Sequence, residues 1–349
     1  MTNSINSKPL AAFCANSLIR IVALLFAAGA IFACAGSKLE NTLVVYTYEA
    51  FPEPLIKLAT DHFAEGFGVG LTFERFSDTG GVFNALVSEK ADPNADVVLG
   101  LDTTFLERIL SEQLFEPYRP AGVDAIDEKL IVDRTFHAVV FDYGGVTLNY
   151  DTKAVDNPPS SWSDLLDPAF EKSIILMNPA TSSPGRNFLL FTILEFGQDG
   201  YLEFWAKLKP NILTITGSWY EGYGLYTQGE ATIVLSYETS PAYHIEFEDT
   251  HRYANIFLDG MAYGQMEIAG IVADSKHRKN AERFMDYLLS ADFQREIPLN
   301  QFMYPVHNGV ELPESFIESR GTRTLVSLNP SDVSKHVESW IKAWEAVMR

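Results

Sequence analysis

The chain has 349 residues, 47% of them hydrophobic, and a formal net charge of −20 at pH 7. This length suggests two domains, each large enough to bury its own core, and the hydrophobic fraction is typical of a globular protein. The acidic surface argues against nucleic acid as a partner, because phosphate backbones are bound by clustered basic side chains. An acidic field instead suits a cationic ligand.

The first 34 residues have the pattern of a signal peptide. They carry only two charged side chains, which precede an apolar run over residues 21–33. The run is too short to cross a bilayer as an ordinary helix, and it ends at Cys34 in the manner of a bacterial lipoprotein box. We predict a lipoprotein signal peptide over residues 1–34, a tether over 35–41 and a lipid anchor on Cys34, which place the protein in the cell envelope, facing the periplasm or the exterior. A secretory signal cut nearby, or an uncleaved anchor, is the alternative.

Both cysteines of the chain, Cys14 and Cys34, fall in this leader. The rest of the sequence therefore has no disulfide, no zinc–thiolate site and no cysteine nucleophile. The common motifs for nucleotide phosphates, dinucleotides, zinc hydrolysis and serine hydrolysis are absent, and the seven histidines have no ligand spacing. We predict no catalytic residue, no metal site and no cofactor.

Strand and helix patterns alternate after the tether. The first set consists of strands over 42–48, 71–76 and 95–99 and helices over 54–63 and from residue 104. A stretch over 137–150 then predicts one bent strand or two. The second set covers 162–166, 174–177, 188–196, 219–226 and 232–237, followed by a strand over 268–274 and helices over 281–290 and 331–348.

This alternation predicts an α/β fold with mixed sheets flanked by helices. Gly144 and Gly145 interrupt the stretch over 137–150, and glycines inside a strand mark a bulge or a bend, here where the chain passes between lobes. We predict two lobes with a ligand cleft between them. Lobe 1 is predicted over 42–139 plus 264–308, and lobe 2 over 140–263 plus 309–349.

Capping patterns predict where three helices begin. The patterns are Thr104 with Glu107, Ser218 with Glu221, and Ser240 followed by Pro241.

Two turns rich in hydroxyl groups or glycine, at residues 77–81 and 181–185, follow strands and precede helices predicted from residues 83 and 188. Such turns present free backbone N–H groups at the positive end of a helix dipole, which suits phosphate or another acceptor. Ordinary helix capping is the alternative. The candidate residues in these turns are Asp78, Thr79, Gly80, Ser182 and Ser183.

Aromatic side chains collect at strand ends and helix starts. Tyr48 ends the first strand, Trp219 and Tyr223 lie four apart on one helical face, and Tyr237 and Tyr243 lie on either side of a strand–helix junction. At such edges a cation can be held over ring faces, with Asp78 as a countercharge.

Several stretches match one known family in register, from about residue 43 to the C-terminus. They are LVVYTY (43–48), ADVVLGLD (95–102), FDYG (141–144), TSSPG (181–185), Trp219 with YGL (223–225), VLSYETSPAYH (234–244) and MYPV (303–306). The chain resembles the bacterial thiamine-binding proteins, the solute receptors of thiamine ABC importers. The resemblance implies a two-lobed periplasmic-binding-protein-like fold of type II that closes on thiamine or its phosphate esters, without chemistry, and that delivers the ligand to a membrane permease.

In that family aromatic rings enclose the thiamine rings, and turn hydroxyls and backbone amides hold the phosphate end. The matching positions here are Tyr48, Asp78, Ser182, Ser183, Trp219, Tyr237 and Tyr243. Together with Thr79, Gly80, Tyr223 and Phe302 they form the predicted ligand-binding set. A family tryptophan after the first strand has no counterpart here, and Phe302 replaces another, which weakens the hold on a cation by ~0.5–2 kcal/mol per lost ring. Glu238 is expected to face either the ligand or solvent.

Three other functions compete with this one. A ferric-ion or polyamine receptor of the same fold would use converging tyrosine oxygens or an acidic cleft. A thiamine-degrading enzyme would need a cysteine nucleophile, and no cysteine follows Cys34. A purely structural surface lipoprotein would bind no small molecule.

Overall fold

The computed structural model describes residues 41–349. The strands are β1 (Thr42–Tyr48), β2 (Gly70–Phe76), β3 (Val97–Asp102), β4 (Phe115–Glu116), β5 (Val139–Asp151), β6 (Ile174–Met177), β7 (Ile212–Thr216), β8 (Ile233–Tyr237), β9 (Tyr253–Ile256), β10 (Met261–Val272), β11 (Tyr304–Pro305) and β12 (Thr324–Val326). The α-helices are α1 (Glu53–Phe67), α2 (Thr79–Ser88), α3 (Leu106–Ser111), α4 (Ser183–Leu208), α5 (Trp219–Thr227), α6 (Ser240–Glu248), α7 (Arg278–Leu288), α8 (Ala291–Gln294), α9 (Ile297–Gln301), α10 (Glu314–Arg320) and α11 (Pro330–Met348). Among these helices, none has the length and apolar character needed to cross a membrane.

The strands form one mixed sheet with β5 and β10 as its longest pair. Its strand order is β2-β1-β3-β10-β5-β8-β6-β7, and β4, β9, β11 and β12 pair beside this path. β1 runs parallel to β3, and β6 runs parallel to both β7 and β8. β5 runs antiparallel to both of its neighbours, β10 and β8. The α/β class with a mixed sheet flanked by helices, predicted from the sequence, is confirmed.

Two hydrophobic cores lie along this sheet. The buried members of the first fall within 43–141 and 268–306, and those of the second within 146–263 and 333–344. β5 contributes side chains to both cores, and together Leu43–Arg349 form one compact unit. The residue boundaries proposed for two lobes stay a prediction.

β5 is a single strand that passes through Gly144 and Gly145 without a break. The shift in register against β10 lies beside Glu267, so a bulge at the glycines is wrong, whereas a bend there stays a prediction. The glycines are needed for close packing. A Cβ atom at Gly145 would lie 2.9 Å from the carboxyl carbon of Glu238, and one at Gly144 would lie 3.1 Å from the sulfur of Met303.

Two of the three predicted helix starts need correction. A 3-10 turn over Thr103–Phe105 precedes α3, and Asp102 caps it, because its Oδ1 accepts a hydrogen bond from the Thr104 N–H at 2.8 Å. Phe105, not Thr104, occupies the N-cap position of α3. Ser240 is the first residue of α6, and the N-cap position belongs to Thr239. Ser218 caps α5 as predicted. A cap assigned from sequence shifts easily when a neighbouring polar side chain competes for the same backbone groups.

Glu238 forms a buried ion pair with Arg323, so it faces neither a ligand nor solvent. Its side chain is fully buried and that of Arg323 is 14% exposed. Arg323 Nη2 donates to Glu238 Oε1 at 2.7 Å, and Arg323 Nε donates to the other carboxylate oxygen. The pair ties the chain before β12 to the end of β8, and both expectations for Glu238 are corrected.

Replacing Glu238→Ala is expected to lower the free energy of unfolding by about 3 kcal/mol or more, because it leaves a largely buried guanidinium without its partner. Urea unfolding measures this. The matched control is Lys57→Ala, which removes an exposed ion pair with Asp61 and should change stability by less than about 1 kcal/mol. A loss no larger than that of the control would contradict a structural role for Glu238.

Candidate ligand-binding site

The two hydroxyl-rich turns predicted from the sequence contact each other directly. Thr79 Oγ1 lies 2.8 Å from Ser183 Oγ. Thr79 is the first residue of α2 and Ser183 the first of α4, so both helices begin earlier than residues 83 and 188, where they were expected. A Cβ atom at Gly80 would lie 3.5 Å from the carbonyl oxygen of Ala180, which is an ordinary contact, so Gly80 lies beside the second turn without being required by it. The positive ends of two helix dipoles therefore meet at one place.

Asp78 and Ser182 occupy the N-cap positions of these helices. Asp78 Oδ1 accepts a hydrogen bond from the Thr79 N–H at 2.7 Å. Burial raises the pKa of Asp78 to about 6, although its bonds to Thr79 and the charge of Arg186 oppose the rise. The Ser182 hydroxyl is buried and has no hydrogen-bond partner of good geometry within residues 41–349.

Arg186 brings a positive charge to this group of residues. Its Nη1 lies 3.7 Å from Asp102 Oδ2, and both side chains are almost fully buried. Its guanidinium also lies over the ring of Phe105, at 4.4 Å from the centroid. Ser183 donates a hydrogen bond to the same oxygen of Asp102, which joins the end of β3 to the start of α4.

Asp142 and Glu267 are buried opposite each other on β5 and β10. Neither oxygen of Asp142 makes a hydrogen bond of good geometry within the described chain, although the Gln301 side chain lies close enough to lower its pKa. Burial raises the pKa of both carboxyl groups well above their ordinary values. Glu267 adds to the rise at Asp142, and Asp102 and Asp78 add to the rise at Glu267. Acidic groups are therefore concentrated here in a place with little water, and their burial favours the neutral, protonated forms.

The hydroxyl groups of two predicted site residues belong to the same polar network. Tyr48 donates to Glu267 Oε2 at 2.9 Å, and Tyr237 accepts from Gln265 Nε2 at 2.9 Å. Gln265 Nε2 also lies 3.3 Å from Glu267 Oε1. Gly100, with a φ of +98°, leaves room for the ring of Tyr48, because a Cβ atom at this position would lie 2.3 Å from that ring. These contacts fix both phenols beside the buried acids.

Trp219, Tyr223 and Tyr237 form one aromatic group. Trp219 stacks on Tyr223 with ring centroids 4.9 Å apart, as their helical spacing predicts, and its centroid lies 6.2 Å from that of Tyr237. Trp219 Nε1 donates to Ser236 Oγ at 2.8 Å, and that oxygen lies 2.7 Å from Ser240 Oγ. The indole is therefore held in a fixed orientation while remaining partly exposed.

Tyr243 and Phe302 belong to a second aromatic group, which includes Phe247. The rings of Tyr243 and Phe302 are 5.3 Å apart and Tyr243 is 41% exposed. His244 connects the two groups. It is 1% exposed, its Nε2 lies 2.9 Å from the Tyr223 hydroxyl, and its ring centroid is 5.3 Å from that of Tyr243. The eleven predicted site residues thus include two aromatic groups and one pair of contacting turns.

Several residues of the network were not predicted from the sequence. They are Asp102, Asp142, Arg186, Gln265 and Glu267. One signal was present, since Asp142 and Glu267 are carboxylates inside otherwise apolar strand patterns, where an ionisable side chain is costly. Gln265 and Glu267 are two apart, so strand alternation places them on one face. The strand predicted from residue 268 began too late to include them.

Within the part of the chain that the structure describes, no group of three or more His, Cys, Asp or Glu side chains is arranged to hold a metal ion.

The family model described as bacterial extracellular solute-binding protein matches residues 92–318. The thiamine-binding periplasmic protein of Escherichia coli (strain K12) is 35% identical over 312 residues, which are 88% of this chain and 93% of that protein. The thiamine-binding periplasmic protein of Brucella suis biovar 1 (strain 1330) is 31% identical over 319 residues, which are 89% and 93% of the two chains. A solved periplasmic thiamin binding protein has a TM-score of 0.82 and 34% identity, and the match covers 90% of this chain and 98% of that one. These likenesses confirm the periplasmic-binding-protein fold.

The raised pKa of Asp78 predicts a pH dependence of stability. The folded protein disfavours the ionised carboxylate, so this group's contribution to stability should fall as the pH rises from about 4 to about 7. Asp78→Asn keeps the Oδ1 acceptor for Thr79 and should reduce the loss of unfolding free energy between about pH 5 and about pH 7.5, measured by urea unfolding. The control is Asp61→Asn on the exposed face of α1. It should lose as much unfolding free energy over this pH range as the unaltered protein does. Identical pH profiles for both variants would contradict the assignment.

Proposed function

We propose that this chain, which belongs to the bacterial extracellular solute-binding protein family, captures thiamine or a thiamine phosphate ester for an ABC importer. The chain is an extracytoplasmic solute-binding protein and not an enzyme. The identity of its ligand is the proposal, supported by relatives named for thiamine binding and by the chemistry of the site.

The observation that carries the proposal is a group of buried carboxylates beside aromatic rings. Asp78, Asp142 and Glu267 are disfavoured as anions by their burial, and Arg186 is ion-paired with Asp102. The thiazolium ring of thiamine carries a positive charge on a quaternary nitrogen, which does not depend on protonation around neutral pH. A ligand of this kind supplies the missing charge and offers a flat face to aromatic side chains.

The aromatic group of Trp219, Tyr223 and Tyr237 suits the role of an inner wall of the ligand site. Tyr223 backs one side of the Trp219 indole, and Tyr237 joins that group to the acids through Gln265. We assign Tyr243 and Phe302 to an outer wall, because Tyr243 is 41% exposed whereas the rings of the inner wall are less exposed. Phe302 in place of an indole makes this wall a weaker cation binder.

The turns at α2 and α4 suit the phosphate end of a thiamine ester. The Ser182 hydroxyl is buried, lies near the Asp78 carboxyl group and makes no hydrogen bond of good geometry within residues 41–349. The helix dipoles and Arg186 favour negative charge there. The carboxylate of Asp78 opposes a phosphate when it is ionised. We therefore propose thiamine and its monophosphate ahead of the more highly charged diphosphate.

Iron binding is less well supported by the geometry. A ferric site needs tyrosine oxygens that converge on one point, whereas the hydroxyls of Tyr48, Tyr223 and Tyr237 contact Glu267, His244 and Gln265 respectively.

A lipid anchor on Cys34 completes the proposal. This cysteine, the predicted signal peptide and nearly all of the tether lie outside the described residues 41–349. The pattern of the apolar run and the following small residues supports the anchor, and labelling with a radioactive fatty acid, compared between the protein and its Cys34→Ser variant, tests it.

Titration of the purified protein with thiamine, its two phosphate esters, spermidine and Fe³⁺ tests the ligand. Thiamine or an ester should raise the melting temperature and quench tryptophan fluorescence, because a ligand that binds the folded state stabilises it. Tyr243→Ala should weaken thiamine binding about tenfold, through loss of a ring at the cation. The matched control Tyr220→Ala removes an exposed tyrosine of α5 and should leave affinity unchanged. A response to spermidine or Fe³⁺ alone, or equal affinities for the two variants, would contradict the proposal.

A further inference from the structure

A cavity of about 630 Å³ lies beside the pair of strands that carries the buried acids. Asp142 and Glu267 are opposite each other on one face of β5 and β10, so the next pair, Tyr143 and Met266, lies on the other face. Tyr143 and Met266 line the cavity, together with residues of β11, the end of α10 and the segment around β12. Its volume is within the usual range for small-molecule sites.

The lining of this cavity is basic in a chain whose formal net charge is −20. It includes Lys129, Arg320 and Arg323 but a single carboxylate, that of Asp127. Arg323 is neutralised by Glu238, and Lys129 lies 3.1 Å from the exposed carboxylate of Asp127. Arg320 has no ion-pair partner among residues 41–349. The cavity therefore carries an excess positive charge.

A buried hydroxyl group without a partner also borders the cavity. Tyr304 is 2% exposed, and its hydroxyl makes no hydrogen bond within the described part of the chain. Its ring lies 5.3 Å from that of Tyr143. Burial raises the pKa of Tyr143, and the charges of Lys129, Arg323 and Arg320 oppose this rise, so these cations lie close to one phenol. A buried donor without an acceptor is rare in native proteins and suits the oxygen of a ligand.

We infer that this cavity is a second ligand site, which takes a small organic anion with a carboxylate or phosphate group and a compact apolar body. Arg320 and the Tyr304 hydroxyl meet the anionic group. Met266, Leu312 and Leu325 supply apolar surface for the rest of the molecule. The inference does not rest on the proposed thiamine function, because Tyr143 and Met266 line the cavity whereas Asp142 and Glu267 do not. Gln265 is common to the cavity lining and the acidic network.

Benzoate, phenyl phosphate and benzyl alcohol are suitable probes, since they share a ring and differ in charge. Saturation-transfer NMR and calorimetry on the purified protein should show binding of the two anions and at least about tenfold weaker binding of the neutral alcohol. Arg320→Gln should weaken benzoate binding about three- to fivefold. Tyr304→Phe should weaken it by a similar factor without lowering the unfolding midpoint, because the lost hydroxyl has no partner in the protein.

Arg295→Gln is the matched control, since Arg295 is an exposed arginine outside the cavity, and it should leave benzoate affinity unchanged. The inference would be overturned by any of three results: no anion binding at millimolar concentration, equal binding of benzoate and benzyl alcohol, or Arg320→Gln and Tyr304→Phe variants that bind as the control does.

Discussion

The antiparallel pairing of β5 with β10 is the constraint on which the rest of the structure depends. The two strands share a long register, and β5 contributes to both hydrophobic cores. The register sets Asp142 against Glu267 on one face and Tyr143 against Met266 on the other. A slip of one residue would exchange these faces. The acidic network and the basic cavity are therefore two consequences of one pairing.

Burial of carboxylates at this pairing is costly to the folded protein. Tyr48 and Gln265 offset part of that cost by hydrogen bonds to Glu267, and Arg186 offsets the charge of Asp102. At Asp142 the side chain of Gln301 opposes the rise in pKa, but burial and the charge of Glu267 outweigh it. Stability given up at a site of this kind is a common feature of functional sites, because a ligand of opposite charge restores it on binding. A ligand would restore no such stability at an isolated surface charge, because water already screens that charge.

Much of the fold followed from local pattern. β1 has the bounds expected from its run of β-branched and aromatic residues, and the spacing of Trp219 and Tyr223 correctly placed their rings in contact. The hydroxyl turns were recognised because their chemistry is local. The sequence signal at each of these places is contained within a few consecutive residues.

The remainder depended on contacts between distant parts of the chain. Glu238 pairs with Arg323, which is 85 residues away in the sequence, and nothing near Glu238 indicates that partner. Asp142 meets Glu267 only through the register of two strands. The split of the aromatic residues into two groups depends on where α6 lies relative to α9. Local pattern carries no information about these distances.

The central claim is that a cationic ligand supplies charge to buried carboxyl groups that are partly protonated without it. Calorimetric titration with thiamine near pH 6.5, repeated in buffers of different ionisation enthalpy, counts the protons exchanged on binding. Because a cation lowers the pKa of neighbouring carboxyl groups, the account predicts net proton release, and less release in a Glu267→Gln variant. Thiamine binding with no proton release, or with proton uptake, would contradict it.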